Sequence, residues 1–388
     1  IDTGLVVNEV DSSRGAAWID IDNDKDVDLF ICNENHNINS VFRNDGNGNF
    51  TKITNTALTQ IQGEWWSASW GDYDNDGWLD VFTSNWGGKN ALYKNNGNWN
   101  FTTVTNDTIV NDARKNAITG WGDYDNDGDL DMFVTQSYGS SALNNMLYKN
   151  MKMESGTASF QRISAGDLTN NNGWTYGFAW GDYDRDGDLD IFCANTFNEN
   201  DINALYRNDN NNGNKWLEIK CEGVTTNRSA IGSKIRVKAV INGQSVWQVR
   251  EIDGQNGYCS QTLEQHFGLG NATVIDSLKI EWQSGAVSVF TNVAVNKFYK
   301  AIEGQSSLVG VSNNTIVQPK DYKLNQNFPN PFNPATKITF TLPVNEFATL
   351  KVFDVSGREV GSLLSEEKQA GHYEIEFDGS DLSSGIYF

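Results

Sequence analysis

A segment of about fifty residues occurs four times in this chain, and it restricts the possible folds more than any other feature. Four stretches align without gaps: WIDIDNDKDVDLF from Trp18, WGDYDNDGWLDVF from Trp70, WGDYDNDGDLDMF from Trp121 and WGDYDRDGDLDIF from Trp180. Successive tryptophans are 52, 51 and 59 residues apart. A second motif of the type NALYKN follows each stretch. A period of this length is typical of solenoids, propellers and domain arrays.

Each unit has the pattern of four short strands. The first strand ends at the Trp, an Asp-rich loop follows, and the second unit continues with LDVFTSN, ALYKN and NFTTVT. Asn-Gly steps between such segments are hairpin signals. Repeated four-stranded units predict propeller blades. A helical solenoid would need helical periodicity, and separate domains of about fifty residues would bury too little surface.

The loop of the second unit places carboxylates at alternate positions. With Asp72 as position 1, acidic side chains stand at positions 1, 3, 5 and 9, and Gly77 at position 6 permits a sharp turn. The backbone carbonyl of Trp78, at position 7, can add a ligand. Oxygen ligands in this number favour Ca²⁺ over Mg²⁺, and the loops contain no Cys or His for zinc or copper.

We therefore predict up to four calcium sites. The predicted ligands are Asp20, Asp22, Asp24, Asp26, Asp28, Asp72, Asp74, Asp76, Trp78, Asp80, Asp123, Asp125, Asp127, Asp129, Asp131, Asp182, Asp184, Asp186, Asp188 and Asp190. The alternative is a set of ion-free turns with solvated charges. Carboxylates packed this closely without a cation repel one another by several kcal/mol at an effective dielectric constant near 20.

The first loop departs from the pattern. Lys25 replaces the glycine and brings a positive charge beside the loop carboxylates, so we expect this calcium site to be the weakest or vacant. Arg185 stands at position 4 of the last loop, a position that points outward, and we expect it to do little harm.

The charge and the apolar content exclude two classes of partner. Acidic residues number 50 against 29 basic ones, for a net charge of −21. Nucleic-acid binding depends on Lys and Arg releasing phosphate counterions, so we predict no nucleic-acid partner. No stretch approaches the roughly 18 apolar residues of a membrane span. Cys32, Cys193, Cys221 and Cys259 are too scattered for a zinc site, and they fit buried thiols or at most one disulfide.

The W-G-D-Y-D-x-D-G-x-L-D string resembles the FG-GAP/VCBS repeats of integrin-α-like propellers, and the resemblance covers residues 1–213. It implies an all-β propeller with Ca²⁺ in the loop between the first two strands of each blade, in a mainly structural role. Members usually have seven blades, and four are visible here. Because the chain begins at Ile1 without Met and stops within GIYF, we interpret it as a fragment of a seven-bladed wheel. A closed four-bladed wheel is the alternative.

Residues 214–304 lose the repeat and alternate as an antiparallel β-sandwich. The strings NRSAIGSKIRV, GYCSQTLEQHFGLG and VIDSLKIEWQSG resemble the ASPIC/UnbV module. His266 fits a packed histidine at a strand end better than a catalytic group. Glu251 and Asp253 could pair as acids, but the sequence offers them no Ser, Cys or His partner nearby.

A polar linker, residues 305–320, leads to residues 321–388. The string NFPNPFNPAT within this segment resembles the type A sorting domain of the type IX secretion system, a small β-sandwich whose final strands are missing here. The resemblance implies contact with the secretion machinery through residues 321–388. It also implies a location outside a Gram-negative cell, either secreted or on its outer-membrane surface. The alternative is an ordinary Ig-like adhesion module.

Three functions remain open. The first is a calcium-braced surface module that binds a protein or glycan ligand through the top loops of the propeller, with Trp86, Trp99 and Trp174 as candidate contacts, although packing also explains them. The second is a carbohydrate-active enzyme or its accessory domain, which needs a convergent acid–base pair that the scattered acids outside the loops do not supply. The third is a structural spacer in a cell-surface layer. We predict that the chain is not an enzyme.

Overall fold

The structure is a computed structural model that describes residues 4–138, 144–170, 173–196, 202–254, 259, 261–311, 321–380 and 382–388. It divides into two compact units, Ile1–Ser312 and Asn313–Phe388. Nearly all regular structure in the described residues is strand, as the sequence predicts. Helix is limited to single turns: α1 (Thr108–Asn111), α2 (Lys152–Ser155) and the 3₁₀ turns Val6–Asn8, Ala57–Thr59 and Asp167–Thr169.

Four antiparallel sheets follow the four sequence units, with their strands in chain order. Blade 1 has β1 (Ser13–Ile19), β2 (Asp28–Asn33), β3 (Ser40–Asn44) and β4 (Phe50–Lys52); blade 2 has β5 (Trp65–Gly71), β6 (Asp80–Asn85), β7 (Ala91–Asn95) and β8 (Phe101–Val104); blade 3 has β9 (Asn116–Gly122), β10 (Asp131–Gln136), β11 (Met146–Asn150) and β12 (Phe160–Ile163); blade 4 has β13 (Thr175–Gly181), β14 (Asp190–Asn195) and β15 (Ala204–Tyr206).

The blades pack face to face through apolar side chains. Ile19 and Phe30 of blade 1 share a core with Trp70 and Val81 of blade 2, and the next two interfaces are built in the same way. The first strands of successive blades are neighbours. Because all four units repeat one strand pattern, each blade offers the next the same surface, and the result is the propeller-like fold that the repeat predicts.

Blade 4 differs from the prediction of four strands per unit, because it has three in the described residues. The Asn-rich segment after Tyr206 runs across the Asp loops instead of pairing with β15. The backbone N–H of Asn210 donates to Asp188 at 2.9 Å, and the Asn214 side chain donates to the carbonyl of Asp125 at 2.9 Å. This segment delivers the chain to the next domain.

That domain is a sandwich of two four-stranded sheets with a continuous apolar core. Its strands are β16 (Lys215–Glu222), β17 (Lys234–Ile241), β18 (Gln244–Glu251), β19 (Gln265–Gly270), β20 (Ile275–Glu281), β21 (Val287–Val293), β22 (Lys297–Ile302) and β23 (Val309–Val311). The prediction of a wholly antiparallel sandwich was wrong at one pair, because β16 and β22 are parallel. Between these two strands the chain crosses to the other sheet and back twice, first through β17 and β18 and then through β20 and β21, and β22 lies beside β16 in the same direction.

The second unit is a small all-β domain. Its strands are β24 (Lys323–Leu324), β25 (Ala335–Leu342), β26 (Glu346–Phe353), β27 (Glu359–Lys368) and β28 (Gly371–Asp378). They form a three-stranded and a two-stranded sheet around Phe340, Leu342 and Leu364. Most of the predicted linker, residues 312–320, lies outside the described residues.

Candidate metal centre

Each Asp loop joins the first two strands of its blade. We number them loop 1 (20–28), loop 2 (72–80), loop 3 (123–131) and loop 4 (182–190). In loop 2 the carboxylate of Asp72, at position 1, accepts the backbone N–H groups of Asp76 and Gly77, both at 2.9 Å. Gly77 has φ +94°, a conformation that favours glycine. Position 1 therefore fixes the turn, and loops 3 and 4 repeat these two hydrogen bonds from Asp123 and Asp182.

Position 9 ties the loop to the third strand of its blade. Asp80 accepts the backbone N–H of Tyr73 at 3.3 Å with one oxygen and that of Asn95 at 2.7 Å with the other. At position 9 of the other loops, Asp28, Asp131 and Asp190 each accept the two equivalent backbone N–H groups of their own blade. These carboxylates are held rigidly because both oxygens are engaged, and each oxygen keeps a second lone pair for a cation.

The loops bring three carboxylates together in each repeat. In loops 1, 2 and 4 the residues at positions 1, 3 and 9 converge, with ligand atoms within 4.8 Å of one another: Asp20, Asp22 and Asp28; Asp72, Asp74 and Asp80; Asp182, Asp184 and Asp190. In loop 3 positions 1, 3 and 5 converge, namely Asp123, Asp125 and Asp127. Position 5 is exposed in the other loops, at Asp24, Asp76 and Asp186, and lies outside these groups.

Position 3 carries an oxygen without a hydrogen-bond partner in three successive loops. Oδ1 of Asp74, of Asp125 and of Asp184 is buried and has no donor among the described residues. A buried carboxylate oxygen without a partner costs free energy. Its recurrence at one loop position indicates a ligand that supplies the missing positive charge, and the oxygen-only donor set fits Ca²⁺.

The electrostatics of the loops point the same way. Burial, followed by the negative charge of Asp76, raises the pKa of Asp72 to about 7. Burial and the charge of Asp125 raise the pKa of Asp127 to about 7. Burial also raises the pKa of Asp182 to about 7, with hydrogen bonds opposing it and the charge of Asp186 adding to it. Without a cation, these carboxylates resist ionisation near neutral pH.

At position 7 the backbone N–H donates to the carboxylate at position 5 in all four loops, but the side chains have different contacts. The backbone N–H of Trp78 donates to Asp76 at 3.0 Å, and the predicted use of the Trp78 carbonyl stays a prediction. In loop 3 the side chain of Asp129 converges with Asp127 and Glu154 in a further acidic group. Asp26 is exposed, and Asp188 accepts the backbone N–H of Asn210.

Two lysines beside the loops were missed by the sequence analysis. Lys94, on β7, pairs with Asp74 and lies 2.8 Å from Asp76. Lys149, on β11, pairs with Asp125 and lies 3.2 Å from Asp127. Both ammonium groups are partly exposed, and the Oδ1 atoms described above stay without a partner beside them. The lysine of the repeated LYKN motif was the available signal.

Lys25 does not act on loop 1 in the way that the sequence suggests. It takes the glycine position with φ 80° and an exposed side chain, and only its backbone N–H reaches Asp20, at 3.2 Å. Within the described residues its ammonium group forms no ion pair. Lys234 of the sandwich approaches Asp20 instead, at 2.8 Å.

The sandwich contacts all four Asp loops. The contacts are Lys234 with Asp20 (2.8 Å), Arg236 with the carbonyl of Gly77 (3.4 Å), Gly270 with the carbonyl of Asn126 (2.8 Å) and His266 with the carbonyl of Gly187 (3.1 Å). Burial lowers the pKa of His266 to about 4, so this imidazole is neutral and packed at the interface. Glu251, proposed above as one of a pair of acids, accepts the backbone N–H of Asp20 at 3.1 Å.

The aromatic ligand contacts suggested by the sequence have their ring faces occupied within the protein. Trp86 stacks on Trp66 with ring centroids 3.9 Å apart and an interplanar angle of 4°. Arg14 covers Trp66 at 3.9 Å, and Lys115 lies 5.4 Å from the ring centre of Trp86. The stacked pair of indole rings therefore lies between two cations, Arg14 on Trp66 and Lys115 on Trp86.

The other two suggested tryptophans also have partners in the protein. Trp174 packs at 5.1 Å against Tyr138, which is exposed. The indole N–H of Trp99 donates to Asp22 of loop 1 at 2.8 Å. All four cysteines are free thiols in the structure, and Cys259 is the least buried of them.

Family models identify three parts of the chain. The FG-GAP-like repeat model matches residues 20–83, 72–134 and 123–193, so each match spans two successive Asp loops. The ASPIC and UnbV model matches residues 223–308, within the sandwich. The model of the secretion system C-terminal sorting domain matches residues 326–388. Neither the FG-GAP nor the ASPIC and UnbV model describes an enzyme family.

Curated relatives match most of the chain. Cartilage acidic protein 1 of Xenopus tropicalis is 25% identical over 336 residues, which are 84% of this chain and 49% of the relative. The human cartilage acidic protein 1 is 26% identical over 305 residues, 76% of this chain and 44% of the relative. The chain thus spans about half the length of the curated relatives it matches.

Among solved structures, the biofilm matrix protein Bap1 of V. cholerae aligns with a TM-score of 0.30 and 8% identity, covering 95% of this chain and 67% of that chain. That TM-score does not establish a common fold. No helix within the described residues is long and apolar enough to span a membrane.

The sorting domain indicates where the protein is delivered. It marks the chain for export by type IX secretion to the cell surface or the extracellular space. The FG-GAP-like repeat model covers the Asp loops and the blades, and the ASPIC and UnbV model covers most of the sandwich that follows them. The chain therefore carries FG-GAP-like repeats, an ASPIC and UnbV domain and a secretion system C-terminal sorting domain, the last of which indicates a secreted protein.

Proposed function

We propose that the chain is a calcium-dependent binding module of the cell surface, in which Ca²⁺ braces the propeller and no reaction is catalysed. The observation that carries the metal assignment is the unpartnered, buried Oδ1 at position 3 of three successive loops. A bound divalent cation supplies positive charge to the three carboxylates of each group. The protein supplies the rigidity, because positions 1 and 9 are fixed by backbone N–H groups.

Calcium suits these loops better than the other common metals. The converging ligands are carboxylates, without any thiolate or imidazole, which disfavours zinc and copper. The ligands come from a nine-residue loop whose carboxylates can bind in a mono- or bidentate manner, as Ca²⁺ accepts, whereas Mg²⁺ demands a tighter octahedron and retains water.

A thermal melt of the full chain tests the metal proposal. A ligand that binds only the native state at about 100 times its dissociation constant adds roughly 2.7 kcal/mol per site. We expect unit 1 to melt many degrees higher in Ca²⁺ than in chelator, and Mg²⁺ at the same concentration to restore only part of the difference. Equal melts in Ca²⁺ and chelator contradict the proposal.

We further propose that the exported module binds a protein or glycan outside the cell. Support comes from the sorting domain, which directs the chain to the outside of the cell, and from the FG-GAP-like and the ASPIC and UnbV models, neither of which describes an enzyme family. Glycan and protein arrays probed with the calcium-loaded chain test this role. Binding lost in chelator supports it, and no binding to either array in calcium counts against it. Polysaccharide cleavage by the same preparation would favour the enzyme alternative.

A further inference from the structure

We infer that the ammonium group of Lys234 is the cation of loop 1, so that this loop takes no calcium. This inference rests on the proposed calcium sites of the other three loops. It gives the sandwich a defined task, because the sandwich then completes one propeller loop that the propeller does not complete by itself.

Lys234 is the first residue of β17, and this position brings its side chain to the carboxylates of loop 1. Its Nζ donates to Oδ2 of Asp20 at 2.8 Å and to the backbone carbonyl of the same residue at 2.9 Å, and it also donates to Oδ1 of Asn23. The side chains of Lys234 and Asp20 are 4% and 3% exposed. Glu251, the β18 partner of Lys234 in the sheet register, lies 3.6 Å from the ammonium group. All three donor positions of the ammonium group are thus directed at oxygen atoms in a closed site.

Loop 1 also lacks the feature that marks the other loops. At its position 3, Asp22 accepts the indole N–H of Trp99 at 2.8 Å with Oδ2 and the backbone N–H of Asp24 at 3.3 Å with Oδ1. In loop 1 the buried oxygen without a hydrogen-bond partner is Oδ1 of Asp20, at position 1. The other oxygen of that carboxylate, Oδ2, already accepts a hydrogen bond from the ammonium group of Lys234. The carboxylate that would bind a metal first is therefore neutralised by the protein itself.

The lysines beside loops 2 and 3 do not have this arrangement. Lys94 and Lys149 pair with positions 3 and 5 from the exposed side of their loops, with side chains 31% and 20% exposed. Among the described residues, position 1 of these loops accepts hydrogen bonds only from backbone N–H groups, at Asp72 and Asp123. A divalent ion that coordinates Asp20 would lie within a few ångströms of a buried ammonium group, and like charges at that distance repel strongly where water is excluded.

Calcium counting on the full chain tests the inference. The chain is stripped with chelator, equilibrated with Ca²⁺ and analysed for bound metal. Asp72→Asn and Asp20→Asn remove the same charge from the same position of loops 2 and 1. We expect Asp72→Asn to lower the bound calcium by one ion per chain and Asp20→Asn to leave it unchanged. A loss of one ion in Asp20→Asn overturns the inference and leaves the calcium proposal intact.

Melts in chelator test the ion pair without calcium. We expect Lys234→Met to lower the melting temperature by many degrees, and Asp20→Asn to recover part of that loss when combined with it. The matched control is Lys238→Met on the same strand, where the lysine lies over Trp247. Additive effects of Lys234→Met and Asp20→Asn overturn the inference. A wild-type chain that binds no calcium overturns the calcium proposal, and the chelator melts then decide the role of Lys234 alone. If Asp20→Asn does not fold, the double variant replaces it in the count.

Discussion

The side-chain amide of Asn95 donates to the backbone carbonyl of Ile21 at 3.1 Å, which joins the last residue of β7 to the Asp loop of the preceding blade. The same amide donates to Leu79 of its own loop, also at 3.1 Å. Asn150 repeats both bonds one blade later, to Tyr73 and Leu130, and Asn208 repeats them again. The Asn that ends the LYKN-type motif in blades 2, 3 and 4 therefore links its blade to the Asp loop of the preceding blade.

The first prediction concerns this link. Asn150 is fully buried, so Asn150→Ala leaves two backbone carbonyls without their donor. Each lost partner of this kind costs about 1–3 kcal/mol, and we expect a decrease of about 3 kcal/mol in the free energy of unfolding. Denaturant titration in Ca²⁺ measures it. Asn100→Ala, at an exposed site, serves as the control and should change stability by less than about 0.5 kcal/mol. Equal effects of the two variants would show that Asn150 does not link the blades.

The second prediction concerns position 1 of loop 4. Asp182→Asn removes one of three converging charges and keeps one acceptor oxygen, enough for the N–H group of either Asp186 or Gly187 but not for both. We expect calcium at this loop to bind at least tenfold more weakly, or about 1.4 kcal/mol. Calorimetric titration of the full chain measures the affinity, and Asp209→Asn, an exposed carboxylate paired with Arg207, is the control. Unchanged titration curves for both variants would remove loop 4 from the set of calcium sites.

A third prediction follows from the packing of the sandwich on loop 3. A Cβ atom on Gly268 would lie 2.0 Å from Oδ2 of Asp123 and 2.5 Å from the backbone of Asn126. Because backbone cannot move aside cheaply, Gly268→Ala should separate the sandwich from loop 3 and cost about 3 kcal/mol. Gly310→Ala, with no atom within 4 Å of its Cβ position, is the control. Denaturant titration distinguishes them, and a neutral Gly268→Ala would contradict this packing.

The repeat and its chemistry can be read from the sequence because both are local. Asp72 to Asp80 span nine residues, and one turn brings their carboxylates together. The contact of Lys234 with Asp20 could not be predicted in this way, because the two residues are 214 positions apart. Nothing in the local pattern of β17 distinguishes a buried lysine from a solvated one. The parallel pairing of β16 with β22 was missed for the same reason, since alternation predicts a strand and not its neighbour.

The Asn links show a different limit. The Asn of the LYKN motif is visible in the sequence and recurs at Asn44, Asn95 and Asn150. The local pattern predicts strands and hairpin turns, and it does not indicate a partner for this side chain on another blade. One of the two carbonyls that the amide of Asn95 or Asn150 contacts lies on the preceding blade, and only the packing of one blade against the next brings it within reach.

The last prediction is a pH dependence set by Glu303, a buried residue beyond β22 in the sandwich. One of its carboxylate oxygens accepts the backbone N–H groups of Val224, Thr225 and Thr226 at 2.7, 2.7 and 2.8 Å. Burial opposes the charge, but the hydrogen bonds from Ser284 and from these N–H groups prevail and lower the pKa of Glu303 to about 2. An unfolded Glu titrates near 4.3, so the stabilisation is complete above about pH 5 and is lost as the pH falls towards 2.

Glu303→Gln keeps the shape of the side chain and one acceptor oxygen but removes the negative charge. In the wild type that charge strengthens these hydrogen bonds. We expect the variant to be about 2 kcal/mol less stable than the wild type at pH 7. At pH 2 we expect nearly equal stabilities, because the folded wild-type carboxylate is then about half protonated and most of its stabilisation is lost. Denaturant titrations at pH 7, 4 and 2 in chelator compare the two chains under identical conditions, so that titration of the Asp loops affects both alike. A difference in stability that stays constant from pH 7 to pH 2 would show that the charge of Glu303 does not stabilise the sandwich.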